Sequence, residues 1–92
     1  MYEVIDTIHY TRAWLRHHPD KSQTEGLMAI IGPVQARTPF PAGTHVRVSK
    51  PDGSSVELKV ADVQINPAGV VGLFFADVEL VIPRGSFIQQ LD

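Results

Sequence analysis

The sequence predicts an all-β protein, a small antiparallel barrel of six to seven strands. Short runs rich in β-branched and aromatic residues recur along the chain, separated by Pro, Gly, Asp and Asn. In several runs apolar and polar residues alternate, as in a strand that is buried on one face. The length of 92 residues and the 43% hydrophobic content suit one domain with one modest core. We therefore predict a single barrel domain over residues 1–92, with an N-terminal strand and mobile loop in 1–25 and the barrel core in 26–92.

The first predicted strand is the N-terminal run YEVIDTIHY. As a strand, it places four apolar and aromatic residues on one face: Tyr2, Val4, Ile8 and Tyr10. An amphipathic helix that continues to Trp14 also fits these letters, but the β-branched and aromatic content favours the strand. A loop or short helical turn is predicted near residues 12–18. The polar stretch HHPDKSQTEG then predicts an exposed, mobile loop.

The next two runs, LMAIIGPVQA and THVRVSK, predict a buried strand and a half-buried strand. The Gly-Pro pair at 32–33 predicts a bend, a bulge or an edge position, because proline cannot donate to a central ladder. In the second run, Val46 and Val48 alternate with polar residues. The PDG sequence that follows predicts a hairpin turn: proline presets φ, aspartate can bond its own backbone, and glycine allows a positive φ.

The run SSVELKVADVQI is long and changes phase. Its apolar residues take even positions up to Val60 and odd positions from Val63 onward. Such a one-residue change predicts a β-bulge near Ala61 and Asp62. A turn at NPAG leads to VVGLFF and VELVI, both predicted as strands, and a turn at PRG leads to the last strand, SFIQ.

Phe74 and Phe75 are neighbours in one predicted strand. Successive side chains of a strand point to opposite faces. We expect one ring in the core and the other at a partner surface or at a packing site for the N-terminal segment.

The order of these features from residue 26 onward resembles domain II of the translation GTPases, the β-barrel of elongation factor Tu and initiation factor 2. The matching runs are GLMAIIG at 26–32, FPAGTHV at 40–46, VADVQ at 60–64, GVVGLFF at 69–75 and, most distinctively, IPRGSFI at 82–88. The resemblance implies a barrel that binds a partner. The sequence has no phosphate-binding loop of a GTPase domain, so no nucleotide chemistry is implied. In some members this domain contacts the acceptor end of aminoacyl-tRNA, but the matched positions are structural and no RNA-contact residue is carried over.

The charges are unevenly distributed along the chain. Residues 1–50 carry six Lys and Arg against four Asp and Glu, or +2, whereas residues 51–92 carry two against six, or −4. We expect a face that binds protein or RNA at the basic residues Arg37, His45, Arg47 and Lys50, joined by Arg12 and Arg16 and by the aromatic residues Tyr10, Trp14 and Phe40. The alternative is that these aromatic residues belong to the core and the basic residues to its rim. Arg84 either binds an anion or pairs with Asp77, Glu79 or the C-terminus.

We expect no enzyme, no metal and no cofactor. No serine lies on a nucleophile elbow, and His9, His17, His18 and Asp20 match no usual zinc spacing. The absence of cysteine favours the cytoplasm, and the absence of a long apolar run or signal sequence argues against membrane insertion. The leading hypothesis is a non-enzymatic binding module for a protein or RNA-containing partner. The alternatives are a structural or inhibitory accessory protein acting by protein contact or homodimerisation and, third, an enzyme that uses a histidine.

Overall fold

A computed structural model describes residues 1–20, 24–33, 40–77 and 79–91. The elements in these ranges are β1 (Tyr2–Tyr10), α1 (Arg12–Arg16), β2 (Gly26–Pro33), β3 (His45–Ser49), β4 (Ser55–Lys59), β5 (Asp62–Ile65), β6 (Val70–Phe75) and β7 (Phe87–Gln90). The predicted all-β class, the strand at the N-terminus and the short helical turn after it are confirmed. The predicted loop at 17–26 lies in part, and Arg37 wholly, outside the described residues. No helix that the structure describes has the length and apolar character needed to cross a membrane.

The seven strands form one antiparallel sheet in the order β4-β3-β7-β1-β2-β6-β5. β1 lies at its centre, so the N-terminal segment completes the sheet. The two ends of the sheet, β4 and β5, do not pair with each other. Hydrogen bonds therefore leave the sheet open, and the predicted barrel closure is not shown.

The two ends of the sheet are nevertheless consecutive in the chain. Val60 N–H donates to Thr44 O at 2.9 Å on the β3 side, and Ala61 N–H donates to Phe74 O at 2.8 Å on β6. Asp62 is also aligned with Phe74 in the register of β5 and β6. Two residues of one strand thus oppose one residue of the next, which is the arrangement of a β-bulge. The phase change predicted near Ala61 and Asp62 is confirmed.

One face of the sheet covers the main core, which we call the inner core. Its members are buried side chains from the strands and from the segments beside them: Val4, Leu27, Ala29, Ile31, Phe40, Val46, Val48, Val60, Val71, Leu73, Phe75, Leu80, Ile82 and Ile88. Full burial of a Val, Leu, Ile or Phe side chain is worth about 1.5–3 kcal/mol relative to exposure. This core is the main source of stability for the sheet.

The segment VELVI contributes to the inner core without forming a strand. Its described residues, 79–82, have no strand partner, and Leu80 N–H bonds back to Asp77 O at 3.3 Å. Leu80 and Ile82 are buried because the segment covers one part of the core. The prediction of a strand here is wrong, since alternation of apolar residues also suits an extended cover with no neighbouring ladder.

The turns follow the predicted chemistry. In the PDG turn between β3 and β4, Asp52 Oδ1 accepts from the N–H and the hydroxyl of Ser54 at 2.9 and 2.6 Å, and Gly53 has a φ of +91°. In the NPAG turn between β5 and β6, Asn66 N–H donates to Val70 O at 3.0 Å. The Gly-Pro pair of β2 coincides with a shift of register against β6, as predicted.

Candidate partner-binding groove

A second apolar cluster lies on the outer face of the sheet, opposite the inner core. We call it the outer cluster: the buried residues Tyr10, Met28 and Phe74, with Ile8, Trp14, Leu15 and Ile30 packed against them. Met28 and Phe74 are register partners on β2 and β6. Phe75 belongs to the inner core, so the two adjacent phenylalanines point to opposite faces. The packing site predicted for the second ring is thus confirmed.

A bulge in β1 turns part of this strand outward. The register of β1 against β2 shifts between Val4 and Asp6, which leaves Ile5 as the extra residue. Side chains before and after the bulge therefore lie on opposite faces. Val4 is in the inner core, whereas Ile8 and Tyr10 are in the outer cluster. The prediction that these side chains share one face is wrong for this reason.

Two glycines make room for the side chains of the outer cluster. A Cβ on Gly26 would lie 2.5 Å from Phe74 Cζ, and a Cβ on Gly72 would lie 2.6 Å from Met28 Sδ. Real Cβ atoms do not approach other atoms so closely, so any larger residue would force these side chains to move. The glycines let a ring and a thioether lie directly on the sheet.

Helix α1 adds an aromatic wall to the outer cluster. Thr11 caps the helix by accepting the N–H of Trp14 with its hydroxyl at 3.1 Å. The Trp14 ring centroid lies 4.7 Å from that of Tyr10, and the ring stacks on His18 at 3.8 Å with an interplanar angle of 11°. His18 Nδ1 donates to Trp14 O at 2.8 Å, which fixes the imidazole in the stack. Trp14 already packs against two rings.

An open groove of about 240 Å³ follows the outer cluster toward the β5–β6 hairpin. Its walls are mainly apolar: Ile8, Tyr10, Met28, Ile30, Ile65 and Val70, with polar groups from Gln64 and Asn66. Burial raises the pKa of the Tyr10 phenol, as expected where a hydroxyl lies against apolar side chains. The groove thus presents an apolar surface with a few polar groups at one end.

The helix beside this groove is basic. Residues 12–18 contain Arg12, Arg16, His17 and His18 and no acidic residue. Arg12 Nε lies 3.4 Å from Glu25 Oε1, but the Arg12 side chain is 81% exposed, so this pair contributes little. A basic helix therefore packs against Tyr10, one of the residues that line the groove.

His45 and Arg47 lie on β3 with exposed side chains, as their alternation with the buried Val46 and Val48 predicts. Arg47 Nη2 donates to Glu57 Oε1 at 2.9 Å across to β4. The arginine that was expected to face a partner is therefore paired with a carboxylate within the chain.

Arg84 and Lys50 lie at neighbouring turns. A Cβ on Gly85 would lie 3.9 Å from Pro51 Cγ, which places the PRG turn beside the PDG turn. Arg84 Nη2 donates to Asp6 Oδ1 at 3.3 Å, so its carboxylate partner is neither Asp77 nor Glu79. The Thr7 N–H, followed by Arg84, holds the pKa of Asp6 below its usual value.

The basic-aromatic patch predicted for one face is not assembled as expected. Phe40 is buried in the inner core and Tyr10 in the outer cluster, which confirms the alternative reading for these two rings. β7 and β1 separate β3 from β2, β6 and β5 in the sheet. The PRG turn bonds to Val4 of β1, whereas α1 follows Tyr10, about 20 Å along the same strand at 3.3 Å per residue. Arg84 thus reaches the middle of β1 at Asp6, whereas Trp14 follows the last residue of that strand.

Two of the three histidines near the N-terminus, His9 and His18, bond to backbone carbonyls with their side chains. His9 Nε2 donates to Leu80 O at 3.0 Å, and His18 Nδ1 is bonded to Trp14 as described above. Within the described ranges, no group of three or more His, Cys, Asp or Glu side chains is placed to hold a metal ion. Local hydrogen bonds thus account for His9 Nε2 and for His18 Nδ1.

Sequence reasoning missed the outer groove, although one signal for it was present. In β2, both alternating sets are apolar: Leu27, Ala29 and Ile31 face inward and Met28 and Ile30 outward. A strand that is apolar on both faces is covered on both faces. The bulge at Ile5, which has no local sequence signature, decides which residues of β1 join the outer side.

No family model, no curated protein and no solved structure matches the chain. The class of protein therefore follows from the fold and the groove. The chain is an all-β protein with an apolar groove on the outer face of its sheet, beside a basic helix.

Proposed function

We propose that this protein is a non-enzymatic binding module and that the outer groove holds a segment of another protein. The observation that carries this proposal is the second apolar cluster on the outer face. A half-buried antiparallel sheet needs apolar side chains on one face only. A concave apolar surface with a few polar groups at its edge is the usual form of a binding site.

The charges beside the groove define the chemistry of the partner. Ile30, Ile65 and Val70 in the walls favour apolar side chains, and Arg16 on α1 favours a carboxylate nearby. The partner is therefore a protein segment that combines leucine or phenylalanine with aspartate or glutamate. Such a segment would lie along the groove with its acidic side toward α1.

The described arginines favour a protein partner over RNA. Of these, Arg47 and Arg84, which lie outside α1, are within 3.3 Å of a carboxylate oxygen. RNA binding relies on basic side chains that neutralise phosphates, and an arginine already paired must first lose its partner.

The resemblance to domain II of the translation GTPases supports a partner-binding role of this kind. It implies a small β-structure that acts by contact and not by nucleotide chemistry. The cytoplasmic location predicted from the cysteine-free sequence is part of the same proposal.

Trp14 provides the measurement, because it is the single tryptophan of the chain and packs on the outer cluster. The probe is a short synthetic peptide of alternating leucine and glutamate, and its matched control has lysine in place of glutamate. We expect saturable change of Trp14 emission with the acidic peptide and a much weaker change with the basic one. Single-stranded oligouridine serves as the RNA probe in the same assay.

Two variants locate the binding site. Ile30→Glu places a carboxylate in the wall of the groove, where it repels the acidic peptide, and should abolish the peptide signal. Val81→Glu makes a similar change at an apolar side chain that is 60% exposed and outside the groove, and it should bind as wild type. Salt-sensitive binding of oligouridine alone would transfer the assignment to RNA. Equal peptide binding by both variants would contradict the groove proposal.

A further inference from the structure

The outer edge of β4 is an unpaired strand edge in the described part of the chain. β4 pairs with β3 on one side and stands at the end of the sheet. Val60 N–H donates to Thr44 O, and the same register continues through β4, so the backbone groups of its even-numbered residues face β3. Those of Ser55, Glu57 and Lys59 point the other way. They form a row of donors and acceptors that another strand can pair with.

The side chains of β4 are self-complementary in one antiparallel register. If a second copy aligns with its Leu58 opposite Leu58 of the first, Glu57 lies opposite Lys59 of the second copy, and Lys59 opposite its Glu57. These are the residues whose backbone groups face the edge, so each such pair also exchanges ladder hydrogen bonds. The register centred on Glu57 would instead bring two carboxylates together, which is unfavourable. Charge therefore favours the register centred on Leu58 over the one centred on Glu57.

The neighbouring strand extends this complementarity. Glu57 accepts from Arg47 with Oε1, and Oε2 takes no part in that bond. His45 is the register partner of Lys59 on β3. Across the two copies, four side chains would form a row: Arg47 and Glu57 of the first copy, then Lys59 and His45 of the second. The Glu57 carboxylate would lie between the cations of Arg47 and Lys59. A row of charges with a single sign would have protected the edge from pairing, but this row does not.

A cleft adjoins one end of this edge. A cleft of about 610 Å³ lies between the end of β4, with Leu58 and Lys59, and the segment that follows β6, with Ala76 and Asp77. Leu58 is half-buried against the inner core and reaches this cleft. In the selected register it would meet Leu58 of the second copy, which adds an apolar contact on the two-fold axis.

We propose that two copies of this chain associate through β4, edge to edge and antiparallel about Leu58, to form one continuous sheet. The inference goes beyond the groove proposal, because it uses the other end of the sheet and does not depend on a partner protein. The resulting dimer would present two outer grooves related by a two-fold axis.

Sedimentation velocity of the full chain over a range of concentrations tests this proposal. Wild type should pass from monomer to dimer as the concentration rises. Glu57→Lys places lysine opposite Lys59, and Lys59→Glu places glutamate opposite Glu57, so each variant alone should dimerise at least about tenfold more weakly. An equimolar mixture of the two variants restores opposite charges in both pairs and should form a heterodimer.

The matched control is Glu3→Lys, the same charge change at an exposed residue of the central strand β1. This variant should dimerise as wild type. Positions 57 and 59 are both exposed, and the Glu57–Arg47 pair is a surface pair, so the variants should keep the wild-type far-ultraviolet spectrum. A wild-type mass that stays monomeric at every concentration would overturn the proposal. So would a mixture that associates no better than its two components.

Discussion

The ring of Phe74 lies on the backbone of Gly26, where a Cβ would come within 2.5 Å of Phe74 Cζ and would also meet Phe75 O. Phe74 is on β6 and Gly26 opens β2. The contact places an aromatic side chain over the neighbouring strand, where it belongs to the outer cluster. The packing of the outer cluster therefore requires a glycine at position 26 as well as the large side chains around it.

Gly26→Ala should destabilise the protein by about 1–3 kcal/mol, because the new methyl group meets both a ring and a backbone oxygen that cannot rotate away. Urea unfolding measures this loss. The control is Gly32→Ala in the same strand, since a Cβ there meets no described atom within 4 Å. That change should be neutral or stabilise by up to about 1 kcal/mol, because alanine restricts the unfolded chain. Equal losses at the two positions would contradict this account of Gly26.

Ser86 gives a prediction of the opposite sign. Its side chain is fully buried, and its hydroxyl has no hydrogen-bond partner among the described residues. A buried hydroxyl without a partner costs about 1–3 kcal/mol, so Ser86→Ala should leave the free energy of unfolding unchanged or raise it. Ser54→Ala removes a hydroxyl that bonds Asp52 at 2.6 Å and should lower it. A Ser86→Ala variant less stable than Ser54→Ala would show that the buried hydroxyl is satisfied.

Local chemistry was readable from the sequence, whereas the choice of face was not. The PDG turn follows from three residue types whose conformational preferences act within the turn itself. The bulge at Ala61 and Asp62 was visible because apolar residues changed phase around it. Around Ile5, apolar and polar residues occur on both sides without a clear change of phase. Only the pairing with β2 therefore reveals this bulge. Without that bulge, Tyr10 and the groove cannot be assigned to the outer face.

The candidate binding residues show the same difference between local features and features that depend on strand pairing. The sequence correctly predicted that His45 and Arg47 are exposed, because this follows from alternation within one strand. It did not indicate that Glu57 bonds Arg47, since that contact depends on the register of β3 and β4. Charge partners across strands are set by hairpin geometry, which a list of basic residues does not contain.

Asp52 should make the stability of the protein sensitive to acid. The hydroxyl and then the N–H of Ser54 hold the pKa of this carboxyl below its ordinary value of 3.8. The folded state therefore prefers the ionised form, and the stabilisation is present above pH 3.8 and lost as pH falls through the lower folded value. In urea unfolding from neutral to acidic pH, wild type should lose more stability below pH 3.8 than Asp52→Asn, which cannot titrate. Parallel curves for the two proteins would contradict the role assigned to this carboxylate.

Tyr10 should make the protein sensitive to alkali, with the sign reversed. Burial in the outer cluster raises the pKa of its phenol above the ordinary value of 10.0, because the charged form is disfavoured among apolar side chains. The unfolded chain ionises first as pH rises, so the stabilisation is present below pH 10.0 and lost through the higher folded value. Tyr10→Phe should remove this loss, measured as unfolding free energy against pH together with tyrosinate absorbance. Tyr2→Phe, on the same strand, retains the Tyr10 phenol and is the matched control. If Tyr10→Phe kept the alkaline loss as Tyr2→Phe does, the Tyr10 phenol would not be its source.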